Sequence, residues 1–231
     1  SGVDATGCLT RALRVAHQAG DGFGIANAAW HAGLTLVRSG HPHDALKCLQ
    51  LGQFSLRGFQ AGKSVPAFPS ADDPRIPILA GRLNRQSATA YALMGHPEQA
   101  RRCLAEAREG WAPRDTFVQG GMELSTAGVE LDLRRFDTAE QFAVSAVRTY
   151  GEAHGRERTK AQLIIAEVHV RAGEPRGLVL ARQAIEAVSS LQSVAVRHER
   201  LVPLTAALEA RPGSDAKEIA RMARQVIATR V

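Results

Sequence analysis

Along this chain apolar residues recur at intervals of three and four, and the recurrence is broken at regular places by one short turn. Leu9, Ala12, Val15, Ala16 and Ala19 share a face over about 5–19, a segment that ends at Gly20-Asp21-Gly22. Helical patterns follow over about 23–39, 42–57, 76–94, 97–111, 115–133, 136–152, 156–172, 175–190, 194–210 and 215–229. The punctuation between them reads Gly40-His41-Pro42, Gly95-His96-Pro97 and Gly173-Glu174-Pro175, with Arg134-Arg135-Phe136 in the same role but without Gly or Pro. Glycine supplies the left-handed cap that ends one helix, and proline opens the next. Ala45, Ala100 and Ala139 hold the same place after their turns. The steps are 55, 39 and 39 residues, and the first exceeds the others by 16. Pro66, Pro69, Pro74 and Pro77 fall inside that long step and predict a loop insertion over 59–76, because proline removes donors and resists helix. No period-two stretch is bounded by turn signals, so no strand is expected.

A fixed period of helix–turn–helix units is the sequence mark of an α-solenoid. The expected architecture is therefore all-α: one helical-repeat domain over 1–231, built of antiparallel helix pairs and closed by capping or dimerisation helices over 194–231. Ala12 precedes Ala45 by 33 residues, so the first helix reads as the second half of a unit, and the chain is expected to begin inside an array. Near the other end, Asp215 with Glu218 three residues on predicts an N-cap and capping box. Ile219, Met222, Val226 and Ile227 then form one apolar stripe. That stripe either caps the last repeat or pairs with its copy in a two-fold dimer.

The units resemble tetratricopeptide repeats, which place small, large, turn and small residues at fixed positions. Unit two reads Ala88, Tyr91, Gly95, Ala100 and Ala107, and unit one Gly33, Leu36, Gly40, Ala45 and Gly52. Unit three reads Ala127, Glu130, Arg134, Ala139 and Ala146, and unit four, more loosely, Ala166, His169, Gly173, Leu178 and Ile185. The tail, with Gly177 to Ala184, Leu201-Val202-Pro203-Leu204 and Ala210 to Gly213, resembles the C-terminal repeat region of actinobacterial helix-turn-helix (XRE-type) regulators. In that family a small N-terminal DNA-binding domain precedes a repeat sensor. No such domain is visible here, so DNA contact is expected only through a separate N-terminal domain.

Composition narrows the picture. Hydrophobic residues make up 45% and aromatics only 5%, so Ala, Leu and Val must form the interior. The net charge of +6 invites a nucleic-acid reading. However, only Lys47, Lys63, Lys160 and Lys217 are lysine, and the arginines are dispersed and often beside acids, as in Arg156-Glu157-Arg158. That pattern reads as a solvated surface. No run approaches the roughly 20 apolar residues of a membrane span, and the start lacks a leader pattern. Cys8, Cys48 and Cys103 are odd in number without a CxxC, and Cys48 and Cys103 follow the repeat Ala as small buried side chains. A cytoplasmic protein with no membrane partner is expected.

Reactive chemistry is sparse. Gly58-Phe59-Gln60-Ala61-Gly62-Lys63-Ser64 misses the phosphate-loop spacing by one residue and lacks the preceding strand. His41, His43 and Asp44 lack further ligands and read as exposed turn residues. His169 sits where Tyr91 and Leu36 sit in other units and reads as a packed core histidine. No nucleophile has an identifiable base, so no catalytic residue, metal ligand or cofactor is expected.

What remains is shape. A solenoid lines its concave groove with the first helix of each pair. The inward positions are Asn27, Trp30 and Leu34 in unit one, Arg82, Arg85 and Thr89 in unit two, Leu124 in unit three, and Lys160 and Glu167 in unit four. An exposed Trp beside Asn and two Arg suits an extended peptide: the amide bonds backbone, the arginines take carboxylates and the ring anchors an apolar side chain. The other reading packs Trp30 in the core and leaves Arg82 and Arg85 to solvate the surface. The expected function is a non-enzymatic peptide-, ligand- or protein-binding and dimerisation domain of a transcriptional regulator. The alternative is a general protein–protein scaffold unrelated to transcription.

Overall fold

A computed structural model of the chain describes residues 2–60, 73–109, 116–191 and 193–229. Among the described residues every regular element is helical and there is no strand. Where the repeat pattern predicts one domain over 1–231, the chain divides into two compact units, 1–112 and 113–231. The first holds α1 (Gly2–Gln18), α2 (Gly22–Arg38), α3 (Pro42–Gln60), α4 (Arg75–Leu93) and α5 (Pro97–Glu109). The second holds α6 (Thr116–Asp132), α7 (Phe136–Tyr150), α8 (Gly155–Arg171) and α9 (Arg176–Ser190). It continues through α10 (Val194–Val196), a π-helical turn (Arg197–Leu201), α11 (Val202–Ala210) and α12 (Ser214–Ala228).

The turn written by the sequence is one structure built five times. Gly20, Gly40, Gly95 and Gly173 take φ of 66°, 77°, 75° and 77°, and Arg134 takes 59°. In each, the residue after the left-handed one donates its N–H back five residues: His41 to Leu36, His96 to Tyr91, Arg135 to Glu130 and Glu174 to His169, all within 2.8–3.0 Å. Asp21 does the same to Ala16 at 2.9 Å. This closes the last helical carbonyls and reverses the chain. A side chain in the left-handed region costs about 1–2 kcal/mol, which Arg134 bears and glycine avoids.

In the first unit each helix packs on its sequence neighbour, and α2 also touches α4. Leu49, Leu56, Ile76, Leu79 and Leu83 are buried together with Ala26. The small residues mark the crossings. A Cβ on Gly33 would stand 2.6 Å from the Leu49 side chain, and one on Gly52 2.9 Å from that of Leu83. Ala45, Ala88, Ala100 and Ala107 are fully buried, as are Ala127, Ala139, Ala146 and Ala166 in the second unit. In the last pair the crossing residue is Gly177 rather than Leu178: an added Cβ would meet the His169 carbonyl carbon at 2.6 Å.

Three expectations are revised. The loop insertion is shorter at both ends than 59–76, because α3 runs to Gln60 and α4 starts at Arg75, whose N–H bonds the Asp73 carboxylate at 2.8 Å. Residues 61–72, with Gly62, Lys63 and Ser64 of the near-match to a phosphate loop, lie outside the described residues, as do 110–115. Asp215 is not an N-cap: α12 opens at Ser214 after Gly213, and Glu218 lies 3.5 Å from Arg182 instead of closing a capping box. The expected helix over 194–210 widens to a π turn at 197–201. Val202 bonds the Arg197 carbonyl, and Pro203 next in line has no N–H to continue the ordinary ladder.

The stripe on α12 lies against the chain's own core. Ile219, Ala220 and Ala223 are buried with Leu201, Leu204 and Leu208, and Met222, Val226 and Ile227 pack at the margin. Burying such a stripe contributes roughly 25 cal/mol per Å² of apolar surface. The helix thus packs on α9 and α11.

Candidate functional site

The inward positions fall into two groups, one in each unit. In the first unit, α2 contributes Asn27, Trp30 and Leu34, and α4 contributes Arg82, Arg85 and Thr89. Asn27 is exposed, and Trp30 and Leu34 are half-buried. Trp30 packs by its inner edge on the core around Leu83, and the Arg82 guanidinium lies over its ring at 5.2 Å. Seven residues earlier on both helices, Arg75 lies over the Phe23 ring at 5.6 Å. The repetition follows from geometry, since seven residues is close to two turns and returns each side chain to the same face. Trp30 thus packs partly on the core and carries the Arg82 guanidinium over its ring.

Neither α2 nor α4 contains an Asp or Glu, whereas together they carry Arg38, Arg75, Arg82 and Arg85. Arg75 is held bidentately by Asp73, at 2.9 and 2.8 Å. His31 reports the local field. Burial lowers its pKa, and Arg82 and Arg38 push it further down, so the ring is neutral at neutral pH. Its ring tilts against Trp30 with centroids 4.5 Å apart. Arg85 is half-buried, and the Thr89 hydroxyl donates to its carbonyl at 3.3 Å, which turns Thr89 toward the helix backbone. Of the inward positions, the exposed basic side chain is thus Arg82, over the Trp30 ring, with Asn27 exposed one turn earlier on α2.

The second unit treats the equivalent positions differently. Leu124 is half-buried between two apolar clusters. Lys160 pairs with Glu199 of the π-helical turn at 2.9 Å, with side chains only 17% and 22% exposed. Glu167 is 1% exposed and pairs with Arg171 at 2.6 Å. Arg200, also from the π turn, lies over Gly128, where any Cβ would collide with its guanidinium. Burial pushes the Glu167 carboxyl up against the pull of Arg171 and Arg200, and Asp132 is raised by burial in the same way. Lys160 and Gly128 thus meet side chains of the chain's own π-helical turn.

No family model, curated protein or solved structure matches this chain. Its chemistry must be read from its own residues.

The remaining ionisable clusters are structural in form. His169, 1% exposed, lies between the Glu140 carboxylate at Nε2 (3.0 Å) and the Glu174 carboxylate at Nδ1 (2.9 Å). Arg176 bridges both acids, at 3.2 and 2.9 Å. The core histidine expected from the repeat pattern is thus buried as part of a polar network. Arg211 donates to the carbonyls of Glu174 and Gly173, both at 2.9 Å, and fastens α11 to the turn after α8. Arg197 donates to the Thr229 carbonyl at 2.5 Å. Sequence reading dispersed these arginines over a solvated surface and missed the clamps, whose targets are backbone carbonyls that no motif spells out. Cys48 and Cys103 are half-buried rather than buried, and burial raises both thiols, Cys103 to about 11. Among the described residues no three His, Cys, Asp or Glu side chains are grouped to hold a metal, and no helix is long and apolar enough to cross a membrane.

Proposed function

We propose that the chain is a non-enzymatic binding module of tetratricopeptide-like helical repeats, and that its α2–α4 face takes an acidic peptide or protein segment. One observation carries the reading: Arg82 stacked on the Trp30 ring, on two helices that contain no acid at all. A carboxylate reaching Arg82 forms a charge-assisted hydrogen bond, and an apolar neighbour covers the open edge of Trp30. Asn27, one turn earlier on α2, bonds the peptide backbone. Aromatic and arginine anchors of this kind concentrate binding energy. The five copies of one helix-ending turn and the small residues at the crossings support the repeat reading. Within it, the chain serves as the sensor region of a transcriptional regulator that meets DNA through a separate domain. The α2–α4 face would serve a general scaffold equally well.

The test uses a fluorescein-labelled peptide alternating Glu with Leu and Trp. Fluorescence anisotropy should show binding that weakens steadily with salt, because exposed charges are screened over about 10 Å at ordinary ionic strength. Arg82→Ala should weaken binding about tenfold, the order of a charge-assisted hydrogen bond at about 1.5 kcal/mol, and Trp30→Ala by as much or more. Equal affinity in wild type and Arg82→Ala would sink the proposal.

A further inference from the structure

On the opposite side of α4 the first unit opens a cleft that the binding face above does not use. Both α3 and α5 lie against α4, and a cavity of about 510 Å³ opens between them. Ala80, Asn84, Ser87 and Tyr91 line it from α4 at steps of four, three and four, one stripe of a helix with 3.6 residues per turn. Arg82, Arg85 and Thr89 fall on the reverse of the same helix. The cleft is therefore a separate surface, and the inference does not rest on the α2–α4 reading.

Its floor is neutral and rich in amides. Gln53 donates from Nε2 to Asn84 Oδ1 at 2.6 Å. The pairing leaves one amide N–H side on Asn84 and one amide oxygen on Gln53, and exchanging the two amide orientations preserves that count. A donor beside an acceptor is the complement of one peptide group. Gln50 and Gln99 repeat the amide chemistry on the two walls, from α3 and α5. Ser87 stands one turn along from Asn84. It is 1% exposed, and its hydroxyl has no hydrogen-bond partner among the described residues. Serine inside a helix commonly bonds the carbonyl four residues back. Ser87 does not, and so holds a donor and acceptor ready in a desolvated place.

The charged side chains at the cleft are Arg57, exposed on α3, and Arg102 and Glu106, which pair with each other at 3.0 Å. The Cys103 thiol, raised to about 11 chiefly by burial, stays protonated and offers no thiolate nucleophile. Leu56 and Leu83 supply an aliphatic bed. The stripe from Ala80 to Tyr91 is about 16 Å long at 1.5 Å per residue, which matches about five residues of extended chain at 3.3 Å each. The volume is that of an ordinary ligand site. We propose that the cleft between α3, α4 and α5 binds a short, extended, uncharged peptide segment through its backbone, with the Gln53–Asn84 pair and the Ser87 hydroxyl as the reading groups.

The test titrates the full chain with a library of acetylated, amidated hexapeptides composed of Gly, Ala, Val, Leu, Ser and Thr. The best binder should keep its affinity as salt is raised. Ser87→Ala should weaken it at least tenfold while leaving the melting temperature unchanged or higher, because the hydroxyl has no internal partner to lose. Gln99→Leu, on the exposed face of α5, should also weaken it, and Arg82→Ala should leave it as it was. Binding undiminished in both Ser87→Ala and Gln99→Leu would overturn the proposal, as would a library in which no member binds. Loss of binding in Arg82→Ala with retention in Ser87→Ala would place the peptide on the α2–α4 face and overturn it equally.

Discussion

The α2–α4 face of the first unit and the α6–α8 face of the second are built from corresponding helices, yet one is purely basic and the other nearly balanced in charge. Between them α2 and α4 carry four arginines and no acid. In contrast, α6 carries Glu123, Glu130 and Asp132 and no base, and α8 adds Glu157 and Glu167 together with Arg156, Arg158, Lys160 and Arg171. The acids are answered from within the second unit. Glu123 accepts from the Ser145 and Thr149 hydroxyls at 2.9 and 2.7 Å, Arg135 approaches Glu130 at 3.6 Å, and Asp132 and Glu167 share the field of Arg171 and Arg200. The π-helical turn delivers Arg200 and Glu199 onto this face, so the chain occupies with its own side chains what the first unit presents outward. The lesson is that an arginine's surroundings depend on what lies beneath it: over Trp30 Arg82 stays exposed, and over Gly128 Arg200 lies in the field of two carboxylates.

The sharpest way to break this comparison is to reverse one charge on each side. Arg200→Glu should destabilise the second unit by about 3–5 kcal/mol, because it removes the cation near two buried carboxylates and adds a third. Arg82→Glu should cost the first unit less than about 1 kcal/mol, the worth of an exposed cation–π contact. Urea unfolding, with hydrogen exchange to assign the loss to a unit, measures both. Equal losses would abolish the distinction.

A smaller effect concerns pH. Burial raises the Glu167 carboxyl above its ordinary range. The folded state therefore holds this proton more tightly than the unfolded state. Its contribution is fully present below the unfolded value of about 4.3, and it is lost as pH rises through the raised folded value. Wild type should lose stability over that rise relative to Glu167→Gln, whose melting curve should be flatter and at pH 8 should equal or exceed wild type by about 1 kcal/mol. A Glu167→Gln variant clearly less stable at pH 8 would show that the Arg171 pair outweighs desolvation.

The smallest effect tests the turn without glycine. Arg134→Gly relieves a left-handed side chain at φ 59° and should stabilise the second unit by about 0.5–1 kcal/mol, less than the full steric cost because glycine also frees the unfolded chain. Thermal melting decides it. A loss instead would mean that the Arg134 side chain makes a contact worth more than the strain.

The helical plan was legible because the signals that carry it are local. Glycine or a tolerated left-handed residue, followed by a helix opener, fixes each turn within six residues, and helix boundaries came out within one to three residues at nearly every turn. The small residues at Gly33, Gly52 and Ala100 could be read in the same way, since a crossing leaves room for nothing larger. The Asp215 N-cap failed because Gly213 and Ser214 already start α12, and local preference yielded to where the helix packs on α9 and α11. The cleft left a faint trace in the amides Gln50, Gln53, Asn84 and Gln99, but nothing in the sequence says that three helices bring them together.

The sequence by itself determined that this protein is helical, where its turns fall and which residues must be small, because backbone sterics and helical periodicity act over a few residues. Only the tertiary structure decided which charged residues are surface and which are interior. Arg82 and Arg200 are chemically the same side chain. What separates them is that the π-helical turn lays Arg200 over α6 beside Asp132 and Glu167, whereas Arg82 rests on the Trp30 ring between two helices that carry no acid. Desolvation and charge pairing are properties of neighbours in space, and those neighbours lie tens of residues away along the chain.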